Sequence, residues 1–68
     1  MKYNFKEFVW DKHGGGGYWV TDLRTGNEFY VTPRLERGKY SIDGEIDERG
    51  YPKIYNKFQV MDYIISKR

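Results

Sequence analysis

The chain has 68 residues, no cysteine and a single histidine. A chain of this length forms one domain over residues 1–68, which excludes a multidomain enzyme, and the lack of thiols excludes a disulfide-stapled scaffold and a zinc finger. Twelve Lys and Arg against ten Asp and Glu give a net charge of +2, with the two signs interleaved, whereas a protein that binds chiefly by neutralising phosphates is expected to show a larger excess or a run of like charges.

The N-terminal residues are charged where a secretion signal would be apolar. Met1–Glu7 contains two lysines and a glutamate, whereas a signal peptide needs about seven or more consecutive apolar residues. No stretch of the chain approaches the roughly 20 apolar residues of a membrane span. We therefore expect no secretion signal, no membrane association and a cytoplasmic location, which the absence of cysteine also fits.

The first strand is predicted over Tyr3–Trp10, which is rich in aromatic residues. The charged pair Lys6–Glu7 interrupts this segment, and a β-bulge is predicted there. Four consecutive glycines follow at Gly14–Gly17. Because glycine has no side chain to pack and loses the most conformational freedom when it is ordered, this run predicts a flexible loop.

The strongest local signal is a β-hairpin. Two runs of β-branched and aromatic residues, Tyr18–Asp22 and Asn27–Thr32, flank a four-residue loop in which Gly26 can adopt positive φ. Pro33 ends the third strand because it has no N–H to donate to a ladder. With Asp22 opposite Asn27, the predicted pairs are Val20 with Phe29 and Tyr18 with Val31 on one face, and Trp19 with Tyr30 and Thr21 with Glu28 on the other.

The segment after this hairpin contains two competing turns. Arg34–Gly38 is a polar connection, and alternation resumes in a fourth strand predicted over Lys39–Ile46. Asp43–Gly44 could close a tight hairpin, but Asp47–Gly50 offers a turn one step later. We favour the later turn, which makes the earlier glycine a bulge and Tyr51–Tyr55 the fifth strand.

The last segment changes to a helical period. Phe58, Met61 and Ile65 recur at helical spacing, and Asn56 is a suitable N-cap, although the β-branched residues of this segment also permit a strand. The sum of these elements is an α+β fold that is mainly β. It consists either of a small twisted antiparallel sheet of about five strands or of an SH3-like barrel, with a short C-terminal helix.

Polar clusters in the sequence give little support for catalysis. His13, close to Asp11, could serve as a general base beside the glycine loop, but no Ser, Thr or Cys stands in a nucleophile motif, and an exposed loop histidine is the simpler interpretation. Asp43, Glu45 and Asp47 alternate but lack the calcium-loop spacing, so we interpret them as the charged face of an edge strand. The glycine run fits neither a dinucleotide fingerprint nor a P-loop. We therefore expect a protein that is not an enzyme and that has no metal site and no cofactor.

Aromatic residues are the best candidates for recognition. The chain has seven Tyr, four Phe and two Trp, more than so small an interior can enclose, so some rings must lie at the surface. Rings on a rigid strand are favoured anchors for protein partners, and rings beside cations can stack unpaired bases. The predicted binding residues are Trp19 and Tyr30 on the hairpin, together with Arg24, Arg34, Arg37, Lys39 and Tyr40.

Two functional hypotheses follow from these residues. The leading one is a non-enzymatic protein that binds another protein through an aromatic, mixed-charge sheet surface, because balanced charge suits a protein partner better than a polyanion. The chain is similar in kind to small aromatic-rich proteins with which phages and mobile elements block host factors, so inhibition is one form of this hypothesis. The alternative is a single-stranded DNA- or RNA-binding module that uses the same rings with the nearby Arg and Lys residues. Edge strands could also pair two copies into a homodimer.

Overall fold

The computed structural model describes residues 5–68. It contains a 3-10 turn at Phe5–Glu7, strands β1 (Phe8–Lys12), β2 (Tyr18–Asp22), β3 (Glu28–Pro33), β4 (Lys39–Ile42) and β5 (Tyr55–Asn56), and helix α1 (Lys57–Ser66). The strands form one antiparallel sheet in the order β1-β2-β3-β4-β5. The predicted fold, a small antiparallel sheet with a short C-terminal helix, is confirmed, and the sheet is open rather than closed into an SH3-like barrel.

The β2–β3 hairpin has the predicted register. Its turn is closed by the N–H of Asp22, which donates to the carbonyl oxygen of Asn27 at 2.9 Å, and Gly26 adopts a φ of 81°. A residue with a side chain would be strained in that left-handed conformation, so the turn requires its glycine. The observed pairs are the four predicted ones, Tyr18–Val31, Trp19–Tyr30, Val20–Phe29 and Thr21–Glu28.

The first strand begins and ends later than predicted. The predicted strand over Tyr3–Trp10, bulged in its middle, is replaced by the turn at Phe5–Glu7 followed by β1 at Phe8–Lys12. The first two residues of the predicted strand lie outside the described part of the chain. β1 pairs with β2 along its whole length, beginning with Phe8 opposite Asp22. Because β2 turns away after Asp22, the turn at Phe5–Glu7 lies beyond the paired strands, where the carbonyl oxygen of Glu7 accepts a hydrogen bond from the N–H of Leu23 at 2.8 Å. The ladder extends further at the other end.

The fourth strand is shorter than predicted, because it ends at Ile42 and not at Ile46. The N–H of Glu45 donates to the carbonyl oxygen of Ile42 at 3.0 Å, and Gly44 adopts a φ of 88°. These two features make a turn at Asp43–Gly44. The predicted bulge at Gly44 is therefore wrong, since a tight turn interrupts the strand there.

The favoured later turn is also present, because Oδ1 of Asp47 accepts a hydrogen bond from the N–H of Tyr51 at 3.0 Å. The fifth strand is nevertheless limited to Tyr55–Asn56, in place of the predicted Tyr51–Tyr55. Asp47 holds Tyr51 within the turn, and Pro52 makes only an isolated antiparallel bridge with Ile46. A continuous strand therefore forms only where the chain comes alongside β4.

Helix α1 begins at the predicted N-cap. The N–H of Gln59 donates to the side chain of Asn56, and the side chain of Gln59 accepts from the N–H of Asn56, both at 2.8 Å. This capping box satisfies two backbone donors that a helix otherwise leaves unpaired. Phe58, which the helical spacing placed with the apolar residues, is half exposed. The side chains that α1 buries are Val60, Met61 and Ile64.

The core lies between α1 and one face of the sheet. Its buried side chains are Phe8, Val20, Val31 and Ile42 from the sheet and Val60, Met61 and Ile64 from the helix. Fully burying a side chain of this size contributes about 1.5–3 kcal/mol relative to leaving it exposed, so this single layer provides most of the hydrophobic stabilisation. Because successive side chains of a strand point to opposite faces, the strand residues between the core positions point away from α1. We call this second surface the open face.

A buried ion pair joins the end of α1 to the end of β2. Asp22 is fully buried, and its carboxylate accepts hydrogen bonds from Nε of Arg68 at 2.8 Å and from Nη2 of Arg68 at 3.1 Å. Arg68 also donates to Glu7 at 2.9 Å, and the N–H of Arg24 donates to Asp22 at 3.0 Å. The bonds from Arg68 lower the pKa of Asp22 below its ordinary value although burial opposes this. The residues beyond α1 are thereby fixed against the sheet.

Replacing Arg68 with Ala is expected to lower the urea midpoint of unfolding, because Asp22 would stay buried without its cation. Since the pKa of Asp22 is lowered in the folded protein, the pair stabilises the fold above the unfolded pKa of about 3.8 and loses that effect as the pH falls through the folded-state pKa. The difference in midpoint between the wild type and Arg68→Ala should therefore shrink on acidification.

Urea titrations followed by circular dichroism, from neutral pH into the acid range, measure this difference. Arg37→Ala is the matched control, because it removes an exposed arginine from the β3–β4 connection. A midpoint difference for Arg68→Ala that stays constant at every pH would contradict the assigned role of Asp22.

Candidate binding face

The open face combines rings, hydroxyl groups and charges. Since Val20, Val31 and Ile42 point into the core, their strand neighbours point outwards. Threonine and aromatic residues suit such a position, because they pack well on a pleated surface that stays in contact with water. The side chains of the open face are Val9, Asp11, Trp19, Thr21, Glu28, Tyr30, Thr32, Lys39 and Ser41.

The centre of this face is an aromatic pair. Trp19 on β2 lies directly opposite Tyr30 on β3. Their ring centroids are 5.1 Å apart with an angle of 60° between the ring planes. Trp19 is 40% exposed, and Tyr30 is partly buried. The two rings thus form one apolar surface on paired strands, and solvent reaches the indole.

The ring of Tyr30 packs against the glycine loop that connects β1 and β2. A Cβ atom at Gly17 would lie 2.5 Å from both Cζ and Oη of Tyr30, a separation that real Cβ atoms do not reach without a shift of one group. The ring therefore occupies the space that glycine leaves empty. The sequence predicted a loop at this position but not the contact, although a glycine that leads directly into a strand is a sign of close approach.

His13 belongs to the same loop and lies against the same ring. The backbone N–H of His13 donates to the carbonyl oxygen of Gly17 at 2.7 Å, and its imidazole Nδ1 accepts a hydrogen bond from the N–H of Gly15 at 3.1 Å. The imidazole meets Tyr30 edge to face, with centroids 5.7 Å apart. His13 is exposed, as predicted, and its contacts close the loop and support Tyr30.

Two carboxylates stand beside the aromatic pair. Asp11 on β1 lies directly opposite Trp19, and Glu28 on β3 is two residues from Tyr30 on the same side of the strand. Both are exposed, and within residues 5–68 neither has an ion-pair partner. Lys39 is the cation that β4 adds to this face. The surroundings of Trp19 are therefore acidic, although the chain as a whole has a positive net charge.

The structure separates the other predicted binding residues from the aromatic pair. Tyr40 points to the helix side, where its ring centroid lies 5.4 Å from that of Trp10. Arg24 is in the β2–β3 turn, 4.0 Å from Glu7. The remaining two arginines are in the β3–β4 connection, at the opposite end of β3. Of the seven predicted residues, Trp19, Tyr30 and Lys39 lie on strands of the open face, Tyr40 points to the helix side, and the three arginines lie in connections outside the strands.

The carboxylates of the 43–54 connection are also separated. The hydroxyl of Tyr63 donates to Glu45 at 2.8 Å, and burial together with this bond raises the pKa of Tyr63 to about 12. Asp47 instead binds the N–H groups of its own turn. The prediction that Asp43, Glu45 and Asp47 share a strand face is wrong, because β4 has ended before them. Within residues 5–68, no three His, Asp or Glu side chains are arranged to hold a metal ion.

Two surface hollows lie along the 43–54 connection, with volumes of about 410 and 630 Å³. Pro52 and Tyr55 line the smaller one, Ile46 and Arg49 the larger one, and Lys53 borders both. No predicted binding residue lines either hollow. The aromatic pair thus lies on a different part of the surface.

No protein-family model, no curated protein and no solved structure significantly matches this chain. Among the described residues, no helix combines the length and the apolar content that crossing a membrane requires.

Replacing Gly17 with Ala is expected to lower the free energy of unfolding by about 1–3 kcal/mol, the usual cost of forcing an extra carbon into a packed site. Gly14→Ala is the matched control, because a Cβ there would meet nothing within 4 Å. In a Tyr30→Leu background the atoms that clash are gone, so Gly17→Ala should cost much less. Urea unfolding of the single and double variants measures this coupling. An equal cost in both backgrounds would show that Tyr30 does not depend on Gly17.

Proposed function

We propose that this chain is a non-enzymatic binding protein that engages another protein through the open face. The observation that carries the proposal is Trp19, which is 40% exposed beside Tyr30 on a pair of hydrogen-bonded strands. The core is complete without either ring. An exposed tryptophan that the core does not need is therefore available as an anchor for a partner.

The construction of the aromatic pair suits protein recognition. Tryptophan and tyrosine provide large contact areas, and residues of these two types dominate the binding energy of many protein interfaces. Tyr30 packs between Trp19 and the loop at Gly17 and His13. Because these contacts restrict the ring before any partner arrives, little side-chain freedom is lost on binding.

The charges near the rings favour a protein over a nucleic acid. A single-stranded nucleic-acid platform combines stacking rings with cations that follow the phosphates. Here Asp11 and Glu28 adjoin Trp19 and Tyr30, and Arg34 and Arg37 lie beyond the end of β3. Phosphates that followed bases stacked on Trp19 would meet carboxylates, which repel them.

Recovery of bound proteins from the native cell, with nuclease treatment, tests this proposal. Wild-type protein should retain a partner that Trp19→Ala recovers at about one tenth of the amount or less, since an interface anchor of this kind contributes about 2 kcal/mol or more. Leu35→Ala is the matched control, because it removes a fully exposed apolar side chain from the β3–β4 connection.

A second variant tests the open face without truncating Trp19. Thr21→Arg leaves both rings in place and adds bulk to the same face, next to Trp19 along β2. Circular dichroism and urea unfolding confirm that each variant is folded before the comparison. If Trp19→Ala and Thr21→Arg both retain the wild-type partner undiminished, the open face is not the binding site.

A further inference from the structure

We infer that the open face takes a cationic partner segment, one that places an arginine or lysine side chain over Trp19 and between the neighbouring carboxylates. This inference rests on the proposed function and specifies the chemistry of the partner. It depends on two observations at one place, an exposed indole and unpaired carboxylates beside it.

The carboxylates have the right positions for this role. Asp11 is the cross-strand neighbour of Trp19, and side chains at such positions have Cβ atoms about 4.5–5.5 Å apart. A guanidinium that lies over the indole is therefore within reach of the Asp11 carboxylate. Glu28 continues the acidic border along β3. Within residues 5–68, no cation of the chain itself neutralises either group.

The indole has the matching property, because a cation near the face of an aromatic ring is attracted by its electron density, most strongly for tryptophan. The described part of this chain uses the same contact elsewhere. Nζ of Lys57 lies 5.2 Å from the centre of the Trp10 ring, and Nζ of Lys67 lies 5.1 Å from that of Tyr63. No cation of residues 5–68 occupies the corresponding position at Trp19. Since no cation of residues 5–68 serves this ring and its carboxylates, we assign that cation to the partner.

Lys39 does not cancel the negative potential that the neighbouring carboxylates produce at Trp19. It lies on β4, separated from Trp19 on β2 by the whole of β3, and it pairs across the sheet with Asn56 at the opposite edge. Asp11 is the direct cross-strand neighbour of Trp19. Because exposed charges act strongly only within about one Debye length, roughly 10 Å at moderate salt, the adjacent carboxylate outweighs the more distant ammonium at the indole.

The test uses peptides of defined charge and isotope-labelled protein. The probes are three peptides of equal length, an Arg-Gly, a Ser-Gly and a Glu-Gly repeat, and an oligothymidine. Each peptide is acetylated at its N-terminus and amidated at its C-terminus, so that its ends carry no charge. In heteronuclear NMR spectra, the Arg-Gly peptide should shift the indole N–H of Trp19 and the amides of Asp11 and Glu28. The Ser-Gly and Glu-Gly peptides should leave these signals unchanged.

A charge-matched pair of double variants identifies the carboxylates responsible. Asp11→Asn with Glu28→Gln should weaken binding of the Arg-Gly peptide by about tenfold, as expected for loss of close charge pairs at an interface. Glu36→Gln with Glu48→Gln changes the net charge by the same amount at exposed sites in the connections, and it should change the affinity by less than about twofold. Trp19→Ala should abolish the shifts.

The outcomes distinguish failure of the cationic assignment from failure of the proposed function. Equal shifts with the Arg-Gly and Ser-Gly peptides, equal effects of the two double variants, or no shift of Trp19 with any peptide would each overturn the cationic assignment. The proposed protein-binding function would then still be judged by the recovery experiment with Trp19→Ala. Shifts of Trp19 produced by oligothymidine and by no peptide would contradict both proposals, because the face would then accept a polyanion.

Discussion

One short helix can cover only one face of a five-stranded sheet, and the rest of the structure follows from this constraint. Helix α1 has ten residues and is therefore about 15 Å long, and it buries Val60, Met61 and Ile64 against a single layer of strand side chains. The opposite face has no helix over it, and its side chains range from the buried Ser41 to the exposed Asp11 and Glu28. Trp19 is 40% exposed on this face. Its indole therefore keeps an apolar surface in contact with solvent, and we propose that a partner uses this surface.

The aromatic rings of the open face are held in place by contacts with the loop between β1 and β2. Gly17 lets the ring of Tyr30 lie against the chain, and His13 closes the loop beneath it through hydrogen bonds at both its backbone and its ring. Trp19 then packs against a ring that is already held in place. Such an arrangement reduces the entropy that a partner must overcome on binding. The glycine run thus connects two strands and also positions the surface that we propose to be functional.

The sequence predicted the register of the β2–β3 hairpin because its evidence is local, although β3 runs over Glu28–Pro33, one residue later than the predicted Asn27–Thr32. Turn length, Gly26 and alternation agree on one register, and so Trp19 and Tyr30 were placed opposite each other correctly. The bounds of β1 could not be predicted from local evidence, since they depend on where β2 turns away. The acidic border was missed for the same reason, because Asp11 meets Trp19 only through the β1–β2 register. The face of Tyr40 was available in the sequence, since Tyr40 is two residues from the core residue Ile42 and therefore shares its face.

The net charge of the chain does not describe the charge around the aromatic pair. The chain carries a small excess of two positive charges, and three of its cations are engaged in contacts within the fold. Arg68 neutralises Asp22, Lys57 lies over Trp10 and Lys67 lies over Tyr63. A ligand at Trp19 responds to the groups within a screening length, and Asp11 is directly beside it. The cations engaged in structural contacts therefore leave the aromatic pair in an acidic setting, which the composition alone does not reveal.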